Sequence, residues 1–367
     1  MKQILIKRGD RSPPVADVQA RLRALGLEIT DPPGRLGEST ELAVRSFQQQ
    51  RGIITDGIVG PVTWNELVEA SWRLGDRLLY LSHPLMRGDD VDALQRRLNA
   101  LGFDAGREDG IFGPDTDRAV RAFQREYGVA DDGIFGPVGH TALTGLRVDR
   151  PGTSAALREE LRLAEYSGLD SVVVMIDPGH GGTDAGVVTA TGLTEADLCW
   201  DIARRLAQRL VGHRASVRFT RTESEGPDAS TRARRANRLG ADLIVSIHLN
   251  SHDEAGASGA STYFFKSSRA GEKLADAVHQ EILGLGATDC RSHPRSYALL
   301  RETRMPALLV EPCFITNPND AVQLADPGFR EALAGAIAAG IGRYCETGST
   351  RDDGSNRGAV GADYLVE

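Results

Sequence analysis

The stretch Val172–Gly182, VVVMIDPGHGG, decides the fold of the second half of this chain. Its first five residues are apolar and mostly β-branched, which is typical of a strand buried on both faces of a mostly parallel sheet. The polar and glycine residues that follow place His180 just past the carboxyl end of that strand. Because open α/β sheets bind their ligands at this edge, His180 is a candidate functional residue.

A second stretch further along the chain is built from the same parts. Residues 243–250, LIVSIHLN, begin with a short apolar run, 243–245, and His248 lies three residues past its end. A third apolar run, 307–310, ends in Glu311, and Glu195 begins a helical pattern between the two histidines. Two His and two Glu that meet at one sheet edge predict a hydrolytic metal site.

Strand and helix patterns alternate from residue 171 to about 346, which predicts an α/β domain with a twisted, mixed but mostly parallel sheet and helices on both faces. The predicted strands are 171–177, 215–220, 242–248, 260–265 and 307–312. The predicted helices are 194–211, 229–239, 270–284 and 328–345. Thr194 is a suitable N-cap for the first helix, so Glu195 is expected at a fixed helix N-terminus.

The first 145 or so residues contain an internal duplication. An offset of 76 residues separates Gln19 from Gln95 and also separates Asp56 from Asp132. Each copy carries the patterns of two helices, and an Asp-Gly-x-x-Gly-Pro turn begins a short third one. The sequence therefore predicts two small three-helix modules at 1–75 and 76–146.

Composition and charge limit the classes of partner. The net charge of −8 does not favour nonspecific binding to nucleic acid. No stretch reaches the roughly 18 apolar residues of a membrane-spanning helix, and residues 1–10 lack the apolar segment of a signal peptide. Cytoplasmic residence is therefore favoured, with the cell wall or the extracellular space as the alternative.

The remaining segments and the cysteines carry little structural signal. Residues 147–170 are predicted to be a linker, and residues 347–367, rich in Gly, Asp and Ser, a disordered tail. The cysteines are expected to be reduced and mostly buried, because none lies in a closely spaced pair: Cys199, Cys290, Cys313 and Cys345.

The duplicated half resembles the type 1 peptidoglycan-binding domain family, which consists of three-helix modules attached to cell-wall enzymes. The similarity covers both copies and includes the Gln, Phe-Gln and Asp-Gly-x-x-Gly-Pro positions. It implies that the pair of modules binds peptidoglycan or muropeptides. For any single turn residue, a purely structural role remains the alternative.

The second half resembles the zinc-dependent N-acetylmuramoyl-L-alanine amidase family 3. Its pieces occur in the family's order: Asp177–Gly182, Glu195, Thr220–Arg221, Arg232 with Ala236–Asn237, Ser246–Asn250, and Val310–Glu311 with Phe314–Asn317. Two positions depart from the family's pattern. Arg235 stands where an apolar residue is usual, and Cys313 stands where glycine is usual.

The resemblance implies that His180, Glu195 and His248 bind Zn2+ and that Glu311 is the catalytic acid/base. The chemistry of the residues agrees, because three nitrogen and oxygen ligands leave a fourth position for water, as in catalytic zinc sites. Asp177 is expected to hold the His180 loop by hydrogen bonds.

Four further residues have predicted roles outside the metal ligands and the acid/base. Asn250 and Arg301 are candidates for holding the substrate. His252 is interpreted as a surface histidine, with a ligand role as the alternative. Cys313 is interpreted as a packed thiol, and the alternative is that it lines the metal site.

These observations imply a peptidoglycan hydrolase that cleaves the amide between N-acetylmuramic acid and L-Ala with zinc-activated water. The alternative is a non-secreted, amidase-like regulator of peptidoglycan precursor synthesis that acts through a protein partner. A third possibility is a zinc carboxypeptidase acting on the stem peptide, but the order of the motifs argues against it.

Overall fold

The structure, a computed structural model, describes residues 5–146, 166, 168–189 and 191–347. The strands of the second half are β1 Val173–Pro178, β2 Ser216–Phe219, β3 Leu243–Ile247, β4 Ala260–Phe264, β5 Asp289–Pro294 and β6 Ala307–Glu311. They form one six-stranded sheet in the order β2-β1-β3-β6-β4-β5. Neighbouring strands run parallel except β4 and β6, which are antiparallel. The predicted mixed, mostly parallel sheet is thus confirmed.

Helices cover both faces of this sheet. Helices are numbered along the part of the chain that the structure describes, and six of them precede this domain. The helices of this domain are α7 Glu195–Gly212, α8 Ala229–Leu239, α9 Arg269–Leu283, α10 Ala298–Glu302, α11 Pro318–Ala325 and α12 Pro327–Thr347. The strands alternate their side chains between two hydrophobic clusters. Val174 and Ile176 join the cluster with α7, α9 and α12, whereas Met175 joins the one with α8 and α10. This alternation is the period of a strand that is buried on both faces.

The duplicated half forms two three-helix modules, each with its own hydrophobic cluster. Their helices are α1 Pro13–Ala24, α2 Glu38–Arg51 and α3 Pro61–Glu69 in the first copy, and α4 Asp89–Ala100, α5 Pro114–Glu126 and α6 Pro137–Thr144 in the second. A proline occupies the first turn of α3, α5 and α6, where its missing N–H has no intrahelical partner to lose.

A buried glutamine holds each Asp-Gly-x-x-Gly-Pro turn. Gln48 donates to the Asp56 carboxylate at 2.8 Å and accepts from the Gly57 N–H at 2.8 Å. Gln124 makes the same pair of bonds in the second copy, with Asp132 at 2.8 Å. The recurring glutamines and turns of the sequence therefore have a direct structural role.

The structure adds elements that the sequence patterns did not indicate, namely β5, α10 and α11. The predicted linker 147–170 and tail 347–367 lie almost entirely outside the described residues. Among the helices that are described, none combines the length and the apolar character needed to cross a bilayer.

Candidate active site

The candidate site lies where three neighbouring parallel strands end. Pro178 of β1 is level with Ile247 of β3, and Ile247 is level with Val310 of β6. Each strand therefore delivers one predicted residue to the same edge: His180, His248 or Glu311. Glu195 reaches this edge from the first position of α7, where the Thr194 hydroxyl caps the helix by accepting from the Asp197 N–H at 3.1 Å.

His180, Glu195 and His248 converge into a group that could hold a metal ion. Glu195 Oε1 lies 3.1 Å from His180 Nε2 and 3.4 Å from His248 Nδ1. One ligand atom from each residue lies within 4.8 Å of the others. In the part of the chain that the structure describes, this is the one such group of three or more His, Cys, Asp or Glu residues.

The charges of this group favour a cation between the three side chains. Burial raises the pKa of Glu195, but the hydrogen bonds with His180, His248 and the Leu249 N–H outweigh it, so that pKa lies below its ordinary value. The same carboxylate raises the pKa of His180. Glu195 is therefore an ionised carboxylate that presents one oxygen to two imidazole nitrogens, which is the donor set of a catalytic zinc site.

The outer nitrogen of the His180 ring is held by Asp184, whose carboxylate lies 2.8 Å from His180 Nδ1. A carboxylate on the outer nitrogen fixes the tautomer that leaves Nε2 for a metal. Sequence reasoning missed Asp184. Its position four residues after His180 in a glycine-rich loop was the available signal.

Two buried arginines hold the backbone of the loop that carries His180. Arg232 donates to Pro178 O and His180 O at 2.6 Å each. Arg221 donates to Pro178 O and Gly179 O at 2.9 Å each. Asp177 contributes by accepting from Arg232 at 3.0 Å. Asp177 therefore supports the loop through Arg232, while the direct contact with the imidazole comes from Asp184.

Glu311 is the last residue of β6 and accepts a hydrogen bond from the Tyr263 hydroxyl at 2.9 Å. Burial raises the pKa of Glu311, and the Tyr263 bond and the nearby His248 lower it only in part, so that pKa lies above its ordinary value. A carboxyl group with a raised pKa can exchange protons closer to neutral pH. Tyr263 was not predicted, because its role depends on the antiparallel pairing of β4 with β6.

The two predicted substrate residues, Asn250 and Arg301, are not part of the group formed by His180, Glu195 and His248. Asn250 follows the site on the His248 loop, where its side-chain oxygen accepts from the Ser251 N–H at 2.8 Å. Arg301 does not join the group of His180, Glu195 and His248. Its buried guanidinium instead binds Glu66 and Glu69 of the first module, at 3.1 and 2.8 Å. The positive charge of Arg301 is therefore paired with two carboxylates of the same chain. These surroundings do not support the predicted substrate role.

His252 and Cys313 take the simpler of their two interpretations. His252 is exposed and its Nδ1 accepts from the Glu254 N–H at 3.0 Å. Cys313 is 5% exposed and packs in the same hydrophobic cluster as Val310 and Ile315. Burial raises the pKa of the Cys313 thiol, so it is a neutral, packed group.

Two family models match this chain, one in each of its two halves. The model described as N-acetylmuramoyl-L-alanine amidase matches residues 174–343. The model of a peptidoglycan binding domain matches twice, at residues 11–67 and 87–143.

Known proteins similar to this chain carry the same description. "N-acetylmuramoyl-L-alanine amidase CwlM" of Mycobacterium tuberculosis is 39% identical over 361 residues, which cover 92% of this chain and 89% of that protein. The protein of the same name from Bacillus licheniformis is 36% identical over 47% of this chain and 68% of its own length. A solved amidase from Clostridium difficile 630 is 33% identical, covering 48% of this chain and 98% of its own, with a TM-score of 0.47.

Proposed function

Because the chain belongs to the N-acetylmuramoyl-L-alanine amidase family, we propose that it hydrolyses the amide bond between N-acetylmuramic acid and L-Ala in peptidoglycan or muropeptides. The observation that carries the proposal is the convergence of His180, Glu195 and His248 at the strand edge where Glu311 ends β6. A family member that had lost catalysis would not need all four groups in this arrangement.

We propose zinc as the metal that His180, Glu195 and His248 hold. The fit rests on the donor atoms: two imidazole nitrogens and one ionised carboxylate oxygen, with Asp184 fixing the tautomer of His180. When bound, zinc lowers the pKa of a water molecule toward about 7 and polarises a carbonyl group.

Glu311 would then supply the proton transfers. Its carboxylate takes a proton from the water that attacks the amide carbon, and it returns that proton to the leaving amine nitrogen of L-Ala as the C–N bond breaks. The Tyr263 hydroxyl keeps one carboxylate oxygen of Glu311 fixed, which leaves the other oxygen for the proton. Asn250, two residues after His248, remains a candidate for contacting the substrate.

A pair of variants tests this assignment. The purified protein should contain about one zinc per chain, and the double variant His180→Ala/His248→Ala should lose it. Glu311→Gln keeps the shape of the side chain and removes the base, so zinc should stay while turnover falls roughly 10²-fold or more. Turnover is measured by mass analysis of digested muropeptides. Stoichiometric zinc in the double variant, or a near-normal rate in Glu311→Gln, would contradict the assignment.

Three finer points are also proposals. The two modules are proposed to bind wall material, in line with the family model that each copy matches. Regulation of precursor synthesis through a protein partner remains the second candidate, and an inactive wild-type protein that retains zinc would favour it. Cytoplasmic residence is the third proposal, and cell fractionation with a marker for lysis tests it.

A further inference from the structure

Arg301 lies at the contact between the modules and the amidase domain. Its guanidinium donates to Glu66 at 3.1 Å, to Glu69 at 2.8 Å, and to the carbonyl oxygen of Asp109 at 2.6 Å. Glu66 and Glu69 belong to the first module, and Asp109 belongs to the second. Burying a charged group is costly unless its partners compensate it, so this contact depends on one specific arrangement of the three units.

The first module also touches the segment Pro294–Tyr297, which joins β5 to α10. The Ser296 N–H donates to Gly52 O at 3.0 Å. Gly52 has a φ of +65°, and a Cβ added to it would lie 3.3 Å from Arg295 Cα and from Ser296 N. The end of α2 therefore packs directly on the backbone of this segment, at a distance that a larger residue would disturb.

The segment Pro294–Tyr297 continues to the proposed acid/base. The Tyr297 ring lies 5.7 Å from the Tyr263 ring between centroids, and the Arg295 guanidinium lies 5.6 Å above the Tyr263 ring. Tyr263 in turn donates to Glu311. A continuous row of contacts thus runs from Gly52 of the first module through this segment and Tyr263 to Glu311.

The second module does not repeat the groups that make this contact. At the 76-residue offset, Arg51, Glu66 and Glu69 of the first copy correspond to Tyr127, Ala142 and Gly145 of the second. Arg51 itself binds Glu66 at 2.7 Å. The glycine is retained as Gly128, again with a φ of +65°, but an added Cβ there would meet none of the described atoms within 4 Å. The contacts made by Arg51, Glu66 and Glu69 are thus specific to the first copy, whereas the second copy meets the amidase domain through other groups, among them Arg87, which donates to Glu302 at 2.9 Å.

We propose that the first module is a positioning element of the active site, in which its contacts with Pro294–Tyr297 and Arg301 hold Tyr263 in place against Glu311. This inference rests on the proposed amidase function. The module would therefore act on catalysis through the protein, separately from any binding of the insoluble wall.

Gly52→Asn and Gly128→Asn form a matched pair for the test in the full-length protein. Asn tolerates a positive φ better than other non-glycine residues, so the cost to the module should be similar at both positions. At position 52, however, the side chain must displace the backbone of Arg295 and Ser296. Glu69→Gln, which keeps the side-chain shape and removes a charge that faces Arg301, weakens the same contact by a second route.

Hydrogen exchange of single amides reports docking without requiring activity. In Gly52→Asn and Glu69→Gln, the Ser296 amide should exchange faster, because its acceptor is Gly52 O. The Arg295 amide donates to Phe264 O, within the amidase domain, and should change less. Gly128→Asn should leave both amides as in the wild type. Unchanged protection of Ser296 in both docking variants would overturn the contact.

Turnover of a soluble muropeptide reports positioning without a contribution from wall tethering. In the two docking variants kcat should fall about tenfold with a smaller change in KM, because a displaced acid/base slows the chemical step. Zinc content should stay at the wild-type level in all variants. Faster Ser296 exchange with an unchanged kcat would overturn the positioning role. A wild-type protein without turnover would instead contradict the proposed function, while exchange would still decide the docking.

Discussion

Gly179 and Gly186 leave the space that the two imidazole rings of the site occupy. A Cβ added to Gly179 would lie 2.6 Å from His248 Nδ1 and Cε1, and one added to Gly186 would lie 2.8 Å from His180 Cδ2. These distances are shorter than van der Waals contact, so either addition must move a side chain of the group formed by His180, Glu195 and His248. Both glycines therefore have a steric role, and Gly186, with a φ of +64°, has a conformational one as well.

Gly179→Ala should abolish stoichiometric zinc binding. The added methyl group pushes the His248 ring out of its place, and Gly179 is not among the glycines with positive φ, so little backbone strain accompanies the change. Elemental analysis of the purified variant measures the loss. Gly212→Ala is the matched control, because its added Cβ meets none of the described atoms within 4 Å. A zinc content equal to that of the control would show that the His248 ring can adjust.

Tyr263→Phe should move the acid limb of the pH–rate profile to higher pH. The Tyr263 hydroxyl donates to the Glu311 carboxylate and so lowers the pKa of Glu311, against the larger effect of burial. Removing that bond raises the pKa further, and the base is then protonated, and inactive, up to a higher pH. The profile of kcat/KM against pH measures the shift. Tyr80 is exposed in the first half of the chain, so Tyr80→Phe makes the same chemical change there and should leave the profile unaltered. Equal profiles for the wild type, Tyr263→Phe and Tyr80→Phe would contradict the role of Tyr263.

At the scale of elements, the N-terminus of α7 links helix stability to the metal site. Thr194 caps the helix and Glu195 is its first residue, so the cap fixes the carboxylate that faces both histidines. Thr194→Ala should cost about 1 kcal/mol of unfolding free energy and should also weaken zinc binding. Urea denaturation and a competitive zinc titration measure the two effects.

Ser268→Ala provides the comparison for that variant. Ser268 caps α9 by accepting from the Gly271 N–H at 3.0 Å, on a helix that contributes no residue to the metal group. Loss of the Ser268 cap should lower the free energy of unfolding by a similar amount and leave zinc affinity unchanged. Equal zinc affinities in the two variants would mean that Glu195 is held by its other contacts, chiefly the Leu249 N–H at 3.0 Å.

The apolar runs of β1, β3 and β6 made the central strands predictable, because a strand buried on both faces carries an uninterrupted hydrophobic signal. The carboxyl ends of these three parallel strands lie at one edge of the sheet. The closeness of His180, His248 and Glu311 could therefore be predicted from the same hydrophobic pattern. β5 could not be predicted in this way. Its residues, DCRSHP, form no apolar run, because it is the edge strand of the sheet and none of its residues is buried.

Side-chain partners that depend on packing were also not predictable. Tyr263 reaches Glu311 only because β4 runs antiparallel to β6, with Ser261 level with Glu311. Arg301 was a predicted candidate for holding the substrate. The structure buries it instead against Glu66 and Glu69, which lie more than 200 residues away in the chain, and sequence periodicity holds no information about such a contact.

At the scale of the whole molecule, the chain joins two kinds of unit through a specific polar contact. The contact includes Arg51, Glu66 and Glu69 of the first module. The Asp56 and Asp132 carboxylates of the turns accept from groups of their own modules, Gln48 and Gln124 among them. The hydrogen bonds described for these two carboxylates therefore stay within the modules. Under the proposed function, two wall-binding modules hold one catalytic site against the polymer, which raises the effective concentration of the bonds to be cleaved.

The full-length variant Glu311→Gln should sediment with insoluble peptidoglycan, because it keeps both modules but does not digest the polymer during the assay. Bound protein is measured in the pellet after centrifugation. Insoluble chitin, a polymer of N-acetylglucosamine that lacks both N-acetylmuramic acid and the stem peptide, is the control polymer. Binding to peptidoglycan alone would assign recognition to the muramic acid or its stem peptide, and equal binding to both would assign it to the N-acetylglucosamine units. If the folded protein remained in the supernatant with both polymers, the modules would serve docking within the chain or to a protein partner, and wall binding would be excluded as their role.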